Sequence, residues 1–230
     1  MHYTFHKTVV IGFGGSVLAP ERTINIALAK KFVGFVLQHI PRHRFVIVVG
    51  GGSLSRSYQT AASKVRRVTT AEKDWIGIYA TRLHAEFLRV LFGMHADSRI
   101  IDTHEKMFPL ARPVTIASGW APGHSTDCIA AVCAKQYDAE EFICAGKPAY
   151  IYSENPDTRP KAKKIHTLSW YEYRRMIPKK WNAGDHMPID PVASEFAEKS
   201  NLTGIVIDGN NIANFQNLLR GRNFKGTIVH

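Results

Sequence analysis

The glycine-rich segment from Gly50 to Arg56 has the residue types that bind a phosphate group. It follows an apolar, β-branched run at residues 44–49, which predicts a fully buried strand, and it precedes residues that can continue as a helix. Glycines allow backbone N–H groups to approach an anion, and a helix N-terminus adds a favourable dipole. Arg56 would supply a planar charged group for the same phosphate. A tight strand-to-helix turn without a ligand explains the segment equally well, so both interpretations stay open.

Two further glycine-bearing turns follow predicted strands. Residues 12–16 (Gly-Phe-Gly-Gly-Ser) come after the apolar run at 7–11, and residues 119–127 come after the run at 112–117. Ligands of open α/β sheets bind beyond the carboxyl ends of the strands. The three turns therefore predict one shared site for an anionic substrate.

Polar residues near these turns have structural and functional interpretations. Asp74, near a helix start, either complements the helix dipole or accepts a hydrogen bond from a sugar hydroxyl. Thr126 either caps the next helix or contacts a base or phosphate, and Asp127 would orient lysines or Mg²⁺. His124 could carry a proton, but the chain has 11 histidines, which favours a structural role. The sequence contains no legible Ser-His-Asp arrangement, Walker pattern or dinucleotide-binding fingerprint.

The elements that must position these residues alternate between strand and helix. Such alternation predicts an α/β fold: a three-layer sandwich with a mostly parallel central sheet flanked by helices. In the long helix predicted at 70–91, the large apolar residues fall on one side. A boundary near Cys144 would divide one continuous sheet into an N-terminal lobe, 1–144, and a C-terminal lobe, 145–230. The predicted strands are 7–11, 44–49, 112–117, 141–144, 204–208 and 226–229, with a loop or hairpin at 148–164; the predicted helices are 24–38 capped by Thr23, 54–63, 70–91, 128–135, one opened by Asp190 and Pro191, and 211–220.

The composition indicates which kind of protein this chain is and which kinds of partner it can bind. A chain of 230 residues with 45% hydrophobic residues can bury a substantial core, and its net charge of +11 indicates anionic partners. The basic runs lack the regular aromatic interleaving of a single-strand-binding surface, so nucleic acid is not favoured. Three cysteines are too few for a disulfide framework or a zinc site, and no apolar run is long enough to cross a bilayer. We therefore expect a cytoplasmic protein with no membrane partner.

The order of the motifs resembles the amino acid kinase family, and within it the uridine monophosphate (UMP) kinase branch that includes archaeal enzymes. The resemblance extends from residue 7 to residue 229, and its most specific part is the Pro-Gly-His-Ser-Thr-Asp block at 122–127. The motifs are Gly14-Gly15-Ser16, Gly50-Gly51-Gly52 with Arg56, Asp74-x-x-Gly77-x-x-Ala80-Thr81-Arg82, Gly119-x-x-Pro122 through Asp127, Asp190-Pro191-x-Ala193 and Gly226-Thr227.

The resemblance implies that ATP donates its γ-phosphoryl group to UMP with Mg²⁺, giving UDP in pyrimidine nucleotide biosynthesis. It also implies a homo-oligomer, usually a hexamer assembled from dimers. Such transfer depends on positioning and charge neutralisation more than on covalent chemistry by the protein.

The resemblance also implies roles for individual residues. Asp127 would organise the catalytic cations, and Gly14 and Gly15 would lie against the transferring phosphoryl group. The residues implied to bind UMP are Gly51, Gly52 and Arg56 at the phosphate, Asp74 at the ribose, Thr126 on the uracil side, and Gly119. The residues implied to bind ATP or support its lobe are Lys147, Tyr152, Asn155, Lys161 and Asp190.

Four positions depart from the family pattern. Gly12 stands where many relatives carry lysine, and Lys147 and Ala149 replace an asparagine and an aspartate that face the nucleotide. Asn155 replaces the aspartate of an Asp-Pro pair. These departures leave two alternatives of the same fold: a nucleotide-binding regulator without transfer chemistry, and a kinase with another acceptor such as a carboxylate. A basic nucleic-acid-binding protein is a further alternative.

Overall fold

The computed structural model describes residues 3–5, 7–21, 23–156, 158–179 and 187–230. Ten strands and eight α-helices occur within these ranges. The strands are β1 (Thr8–Phe13), β2 (Arg44–Val49), β3 (Ala96–Ile101), β4 (Val114–Ala117), β5 (Glu141–Gly146), β6 (Ile151–Tyr152), β7 (Lys164–Ile165), β8 (Thr167–Leu168), β9 (Thr203–Asp208) and β10 (Thr227–Val229). The helices are α1 (Gly15–Leu18), α2 (Ile26–His39), α3 (Gly52–Val65), α4 (Thr70–Phe92), α5 (Thr126–Gln136), α6 (Trp170–Met176), α7 (Pro191–Lys199) and α8 (Ile212–Leu219).

Eight strands form one sheet in the order β3-β4-β2-β1-β5-β9-β10-β8. Every neighbouring pair is parallel except β9 and β10. The carboxyl ends of β1, β2, β4, β5 and β9 therefore lie at one edge, where the sequence predicts the site. The remaining strands, β6 and β7, pair in an antiparallel hairpin, so of the loop or hairpin predicted at residues 148–164 the structure has the hairpin, which extends to Ile165.

The strand β1 is buried on both faces because helices cover both sides of the sheet. Val9 and Ile11 contribute to a core that includes side chains of α2, α4 and α8, whereas Val10 contributes to a second core that includes side chains of α5, α6 and α7. Side chains of a strand alternate between faces, so a strand covered twice needs apolar residues at every position. The predicted three-layer α/β sandwich is confirmed.

Two helix N-termini test the capping predictions. Asn25, rather than the predicted Thr23, caps α2 and accepts a hydrogen bond from the Leu28 N–H at 3.1 Å. The prediction of Thr23 is wrong because the helix begins two residues later than its apolar pattern suggests. Asp190 caps α7 with Pro191 in the first turn, which confirms that prediction.

The helix α4 exposes several of its large apolar residues. Trp75, Tyr79 and Leu83 are 42%, 63% and 60% exposed, and Val90 and Leu91 continue the exposed row. We call these five residues the α4 apolar face. Other large apolar residues of the helix, Ile78, Leu88 and Phe92, are buried together with Ala80, His84 and Ala85, so the prediction that the large apolar residues share one side is wrong. Despite its length, neither α4 nor any other helix in the described ranges is apolar enough to cross a membrane.

Candidate functional site

The turns after β1 and β2 lie against each other without side chains between them. A Cβ on Gly15 would lie 2.2 Å from the Gly52 nitrogen and 2.4 Å from the Gly50 carbonyl oxygen. Gly52 has φ +60°, a conformation that side chains disfavour. Glycines therefore let the two backbones pack directly, and this packing brings the two turns to one place at the edge of the sheet.

Replacing Gly15 by alanine should destabilise the protein by about 3 kcal/mol, because the atoms that the new Cβ meets are backbone and cannot move aside. Gly34 is the matched control, since a Cβ there meets nothing within 4 Å and the residue lies inside α2. Gly34→Ala should raise the free energy of unfolding by about 0.5–1 kcal/mol. Urea unfolding measures both, and similar values for the two variants would contradict the close packing of the turns.

The N-terminus of α3 offers free backbone donors beside this contact. The N–H groups of Gly51 and Gly52 make no hydrogen bond to another residue of the described ranges, whereas the Ser53 N–H donates to the Ala19 carbonyl at 3.3 Å. First-turn N–H groups have no acceptor within their own helix, so they are suited to an anion. Gly51 and Gly52 thus have the donors that a phosphate needs.

Arg56 lies one helical turn after Gly52 and is partly buried. It lines a groove of about 530 Å³ between α3 and the end of α1. The groove is lined by Pro20, Glu21, Ser53, Arg56, Ser57, Thr60, Ala61 and Lys64. Residues four apart share a helix face, so the guanidinium is placed to contact an anion held at the start of the helix. Its role in binding phosphate stays a prediction.

Thr126 is free to contact a ligand because its neighbour caps the helix. Ser125 caps α5 and accepts a hydrogen bond from the Cys128 N–H at 3.0 Å, so the interpretation of Thr126 as the cap is wrong. Ser125 has the extended backbone that a capping residue needs, while Thr126 is already helical. The Thr126 hydroxyl lies beside the β2 turn, since a Cβ on Gly50 would be 3.3 Å from its oxygen.

Asp127 lies in the first turn of α5, beneath the turn after β1. A Cβ on Gly12 would lie 3.4 Å from its Oδ1. The pKa of Asp127 is raised from 3.8 to about 7, first by burial and second by the nearby Asp190, while a hydrogen bond from the Cys144 thiol opposes the rise. No cationic side chain of the described residues contributes to this pKa. The carboxylate is therefore placed where a bound cation would stabilise its charged form.

Two side chains of α4 hold the loop between β4 and α5. The Asp74 carboxylate accepts a hydrogen bond from the Gly123 N–H at 2.9 Å, and Thr81 Oγ1 accepts one from the Gly119 N–H at 2.7 Å. A carboxylate has further acceptor capacity, so Asp74 could still bind a ribose hydroxyl. Gly119 itself packs against Thr81 and Ile78. Both sequence-predicted residues lie at the α4 side of the site.

The residues predicted to meet ATP follow β5, on the other side of the turn after β1. The Gly14 N–H donates to the Ala145 carbonyl at 2.9 Å, so the end of β5 touches this turn. Lys147 is the exposed residue that follows β5. Tyr152 belongs to the β6–β7 hairpin, and Asn155 and Lys161 lie exposed in its connection. Their contacts with ATP stay a prediction.

Asp190 is buried, and its carboxylate joins two helix N-termini. Its Oδ1 accepts hydrogen bonds from the Val192 and Ala193 N–H groups of α7 at 2.8 and 3.0 Å. Its Oδ2 accepts a hydrogen bond from the Ser125 hydroxyl, which itself caps α5. Asp190 therefore links the N-termini of α5 and α7, and its contact with ATP stays a prediction.

Sequence reasoning missed Thr81 and Ser125 as positioning residues, although both lie inside motifs that it singled out. It also missed His84, whose ring donates to the Gly50 carbonyl at 2.8 Å. No pattern distinguishes His84 from the other histidines of the chain. Within the described ranges, no cluster of three or more histidine, cysteine or acidic residues is arranged to hold a metal ion.

Comparisons with known proteins find relatives over most of the chain. The model of the amino acid kinase family matches residues 7–208. A uridylate kinase of Methanoregula boonei is 32% identical over 220 residues, which cover 94% of this chain and 93% of the relative. A uridylate kinase of Methanothrix thermoacetophila is 32% identical over 219 residues, covering 93% and 95%.

A solved structure has the same architecture over the whole chain. The crystal structure of uridylate kinase from Archaeoglobus fulgidus superimposes with a TM-score of 0.82 at 29% sequence identity, covering 98% of this chain and 100% of that one. The likeness therefore includes both sides of the turn after β1.

Proposed function

The chain belongs to the amino acid kinase family, and we propose that it transfers the γ-phosphoryl group of ATP to UMP, giving UDP and ADP. It is a nucleoside monophosphate kinase of the uridylate kinase type. The observation that supports this function best is the packing of the Gly15 turn against the Gly50–Gly52 turn, with free N–H groups on one side and Asp127 on the other.

The acceptor phosphate would bind at the start of α3. The Gly51 and Gly52 N–H groups and the Arg56 guanidinium would neutralise its charge and orient one oxygen toward the donor. Asp74 would bind the ribose, and Thr126 and Gly119 would lie along the rest of UMP. We propose that residues 1–144 hold this acceptor.

The donor would bind on the other side of the Gly14–Gly15 turn. In this proposal residues 145–230 hold ATP, Lys147, Tyr152, Asn155 and Lys161 contact it, and Asp190 positions α5. The phosphoryl group would pass in line between the two nucleotides, beside the Gly14 and Gly15 backbones.

Mg²⁺ fits the residues present. It is usually held by one or two carboxylates together with substrate phosphates, and this site offers Asp127 without a cationic neighbour in the described ranges. When bound, Mg²⁺ would neutralise charge on the ATP phosphates. Asp127 would hold it beside the turn after β1.

A coupled assay with ATP, Mg²⁺ and each nucleoside monophosphate tests the function. We expect turnover with UMP. No turnover of UMP at micromolar enzyme would contradict the proposal. Trapping with hydroxylamine, which captures acyl phosphates, would identify a kinase that acts on a carboxylate instead.

The alternative function, a nucleotide-binding regulator without transfer chemistry, is suggested by the departures from the family pattern at Gly12, Lys147, Ala149 and Asn155. Titration calorimetry separates it from a kinase, because a regulator would bind UMP or UTP but not ATP with Mg²⁺. A steep dependence of binding on salt, measured with an oligonucleotide, would instead support nucleic-acid binding.

We also propose that the protein assembles through the α4 apolar face. Five exposed large apolar side chains on one helix are unusual on a monomer, and the pairing of this helix with its own copy is the simplest way to cover them. The net charge of +11 supports anionic substrates, as expected from the sequence. The buried, free cysteines support a cytoplasmic location.

Leu83→Glu should convert the assembly to smaller species, because the new charge lies in the middle of the apolar face and would be buried without a partner. Sedimentation velocity measures the mass of each variant. Val192→Glu is the control, since Val192 is 41% exposed on α7, away from this face. An unchanged mass for Leu83→Glu would contradict assembly through α4.

A further inference from the structure

His84 makes a buried contact with the turn that would bind the acceptor phosphate. It lies on α4 with 3% of its surface exposed, and its Nδ1 is 2.8 Å from the Gly50 carbonyl oxygen. A carbonyl oxygen only accepts hydrogen bonds, so Nδ1 is the protonated nitrogen that donates. This bond joins α4 to the first glycine of the turn.

The bond determines which way the next peptide N–H points. The described backbone contains no cis peptide bond, and in a trans peptide the carbonyl and the N–H that follows point in opposite directions. With the Gly50 carbonyl held toward α4, the Gly51 N–H points away from α4. This N–H has no acceptor within the described ranges, so it is available to an anion.

A peptide between two glycines needs such a restraint. Gly50 and Gly51 have no Cβ, so no side chain of their own restrains the peptide that joins them, and its orientation depends on contacts with neighbouring residues such as Gly15 and His84. Rotation by half a turn would direct the carbonyl oxygen, instead of the N–H, at a bound phosphate. It would also leave a buried donor on His84 without its acceptor, which is unfavourable.

We propose that His84 is a positioning residue that holds the Gly50–Gly51 peptide in the orientation that binds the acceptor phosphate. The inference rests on the proposed function, since it concerns the phosphate of UMP. It assigns to α4 a direct effect on acceptor affinity, in addition to the contacts that Asp74 and Thr81 make with the other loop.

Three substitutions of His84 separate the effect of the position of its hydrogen-bond donor from the effects of side-chain polarity and volume. In asparagine the amide nitrogen is bonded to Cγ, and in histidine Nδ1 is bonded to Cγ as well. His84→Asn can therefore keep the hydrogen bond to the Gly50 carbonyl. Glutamine places the amide one carbon further out, and leucine removes the donor. His39→Leu is the matched control, because His39 is also buried and its Nδ1 is 2.8 Å from the Phe35 carbonyl within α2.

The experiment is calorimetric titration of each variant with UMP and, separately, with ATP and Mg²⁺. We expect His84→Leu and His84→Gln to weaken UMP binding by about tenfold or more, His84→Asn to stay within about threefold of the wild type, and His39→Leu to leave UMP affinity unchanged. ATP affinity should stay the same in all four. His84→Gln decides the test if His84→Leu does not fold.

The outcomes distinguish a failure of the role proposed for His84 from a failure of the proposed kinase function. UMP binding by His84→Gln that equals that of the wild type would overturn the role of His84 while leaving the kinase proposal intact. Equal losses in His84→Asn and His84→Gln would also overturn it, because the position of the donor would then not matter. A wild type that does not bind UMP would contradict the proposed function, and the inference would fail with it.

Discussion

Replacement of Asp127 by asparagine should lower kcat by about 10³-fold and change the KM for UMP by less than about threefold. The carboxylate lies beneath the turn where the phosphoryl group would pass, and no cationic side chain of the described residues neutralises it. Asparagine keeps the shape but cannot hold a cation by charge. Steady-state kinetics with ATP and UMP measure the loss.

The control for Asp127→Asn is Asp138→Asn. Asp138 is exposed just beyond the other end of α5, and its positive φ of 51° suits asparagine as well as aspartate. It should retain full activity. A loss of less than tenfold in Asp127→Asn, or a similar loss in both variants, would contradict the assigned role.

The pH dependence of stability tests whether Asp127 is the buried carboxyl group with the raised pKa. The pKa of Asp127 rises from 3.8 to about 7 on folding, so between these pH values the folded chain binds more protons than the unfolded chain. The free energy of unfolding of the wild type therefore falls as the pH rises through this range. The asparagine side chain cannot ionise, so without nucleotide or Mg²⁺ the Asp127→Asn variant should gain stability over the wild type as the pH rises from about 5 to about 8.

Arg56→Ala should lower kcat/KM for UMP by roughly 30- to 1,000-fold, which corresponds to about 2–4 kcal/mol of transition-state stabilisation. Arg56 lies one turn from the free donors of α3 and is partly buried. Water that enters in place of its side chain therefore cannot fully substitute for its positive charge. Arg56→Lys should recover only part of the loss, because an ammonium group lacks the planar fork that binds two phosphate oxygens.

Lys64 provides the control for Arg56. It lines the same groove two turns further along α3, so it contributes a similar charge to the surroundings but lies far from the start of the helix. Lys64→Ala should change kcat/KM by less than about threefold. Equal losses in the two variants would indicate a general effect of charge on the groove rather than a contact with phosphate.

Much of the fold follows from local patterns in the sequence. The run Arg44–Val49 is β-branched and apolar at nearly every position because both faces of its strand are covered, and its bounds are those predicted. The edge strand Ala96–Ile101 was not predicted, because its polar residues do not form an apolar run. The short helix Trp170–Met176 was missed for a similar reason: its seven residues are too few for a clear helical period.

The site was predictable only to the level of its turns. Glycines after strands place Gly15 and Gly52 at the sheet edge, but their direct backbone contact depends on how two distant segments pack. The bond from His84 to Gly50 and the bond from Ser125 to Asp190 join residues that are 34 and 65 positions apart. No local pattern encodes such bonds. For the same reason, the apolar row on α4 does not reveal that it faces outward.

A crystal structure with UMP and a non-hydrolysable ATP analogue tests most directly whether these turns enclose one phosphate. The account predicts that the UMP phosphate accepts hydrogen bonds from the Gly51 and Gly52 N–H groups and from Arg56, with the γ-phosphate of the analogue across the Gly14–Gly15 turn. A UMP phosphate bound away from both turns, or an Arg56 side chain directed into solvent with UMP present, would contradict it.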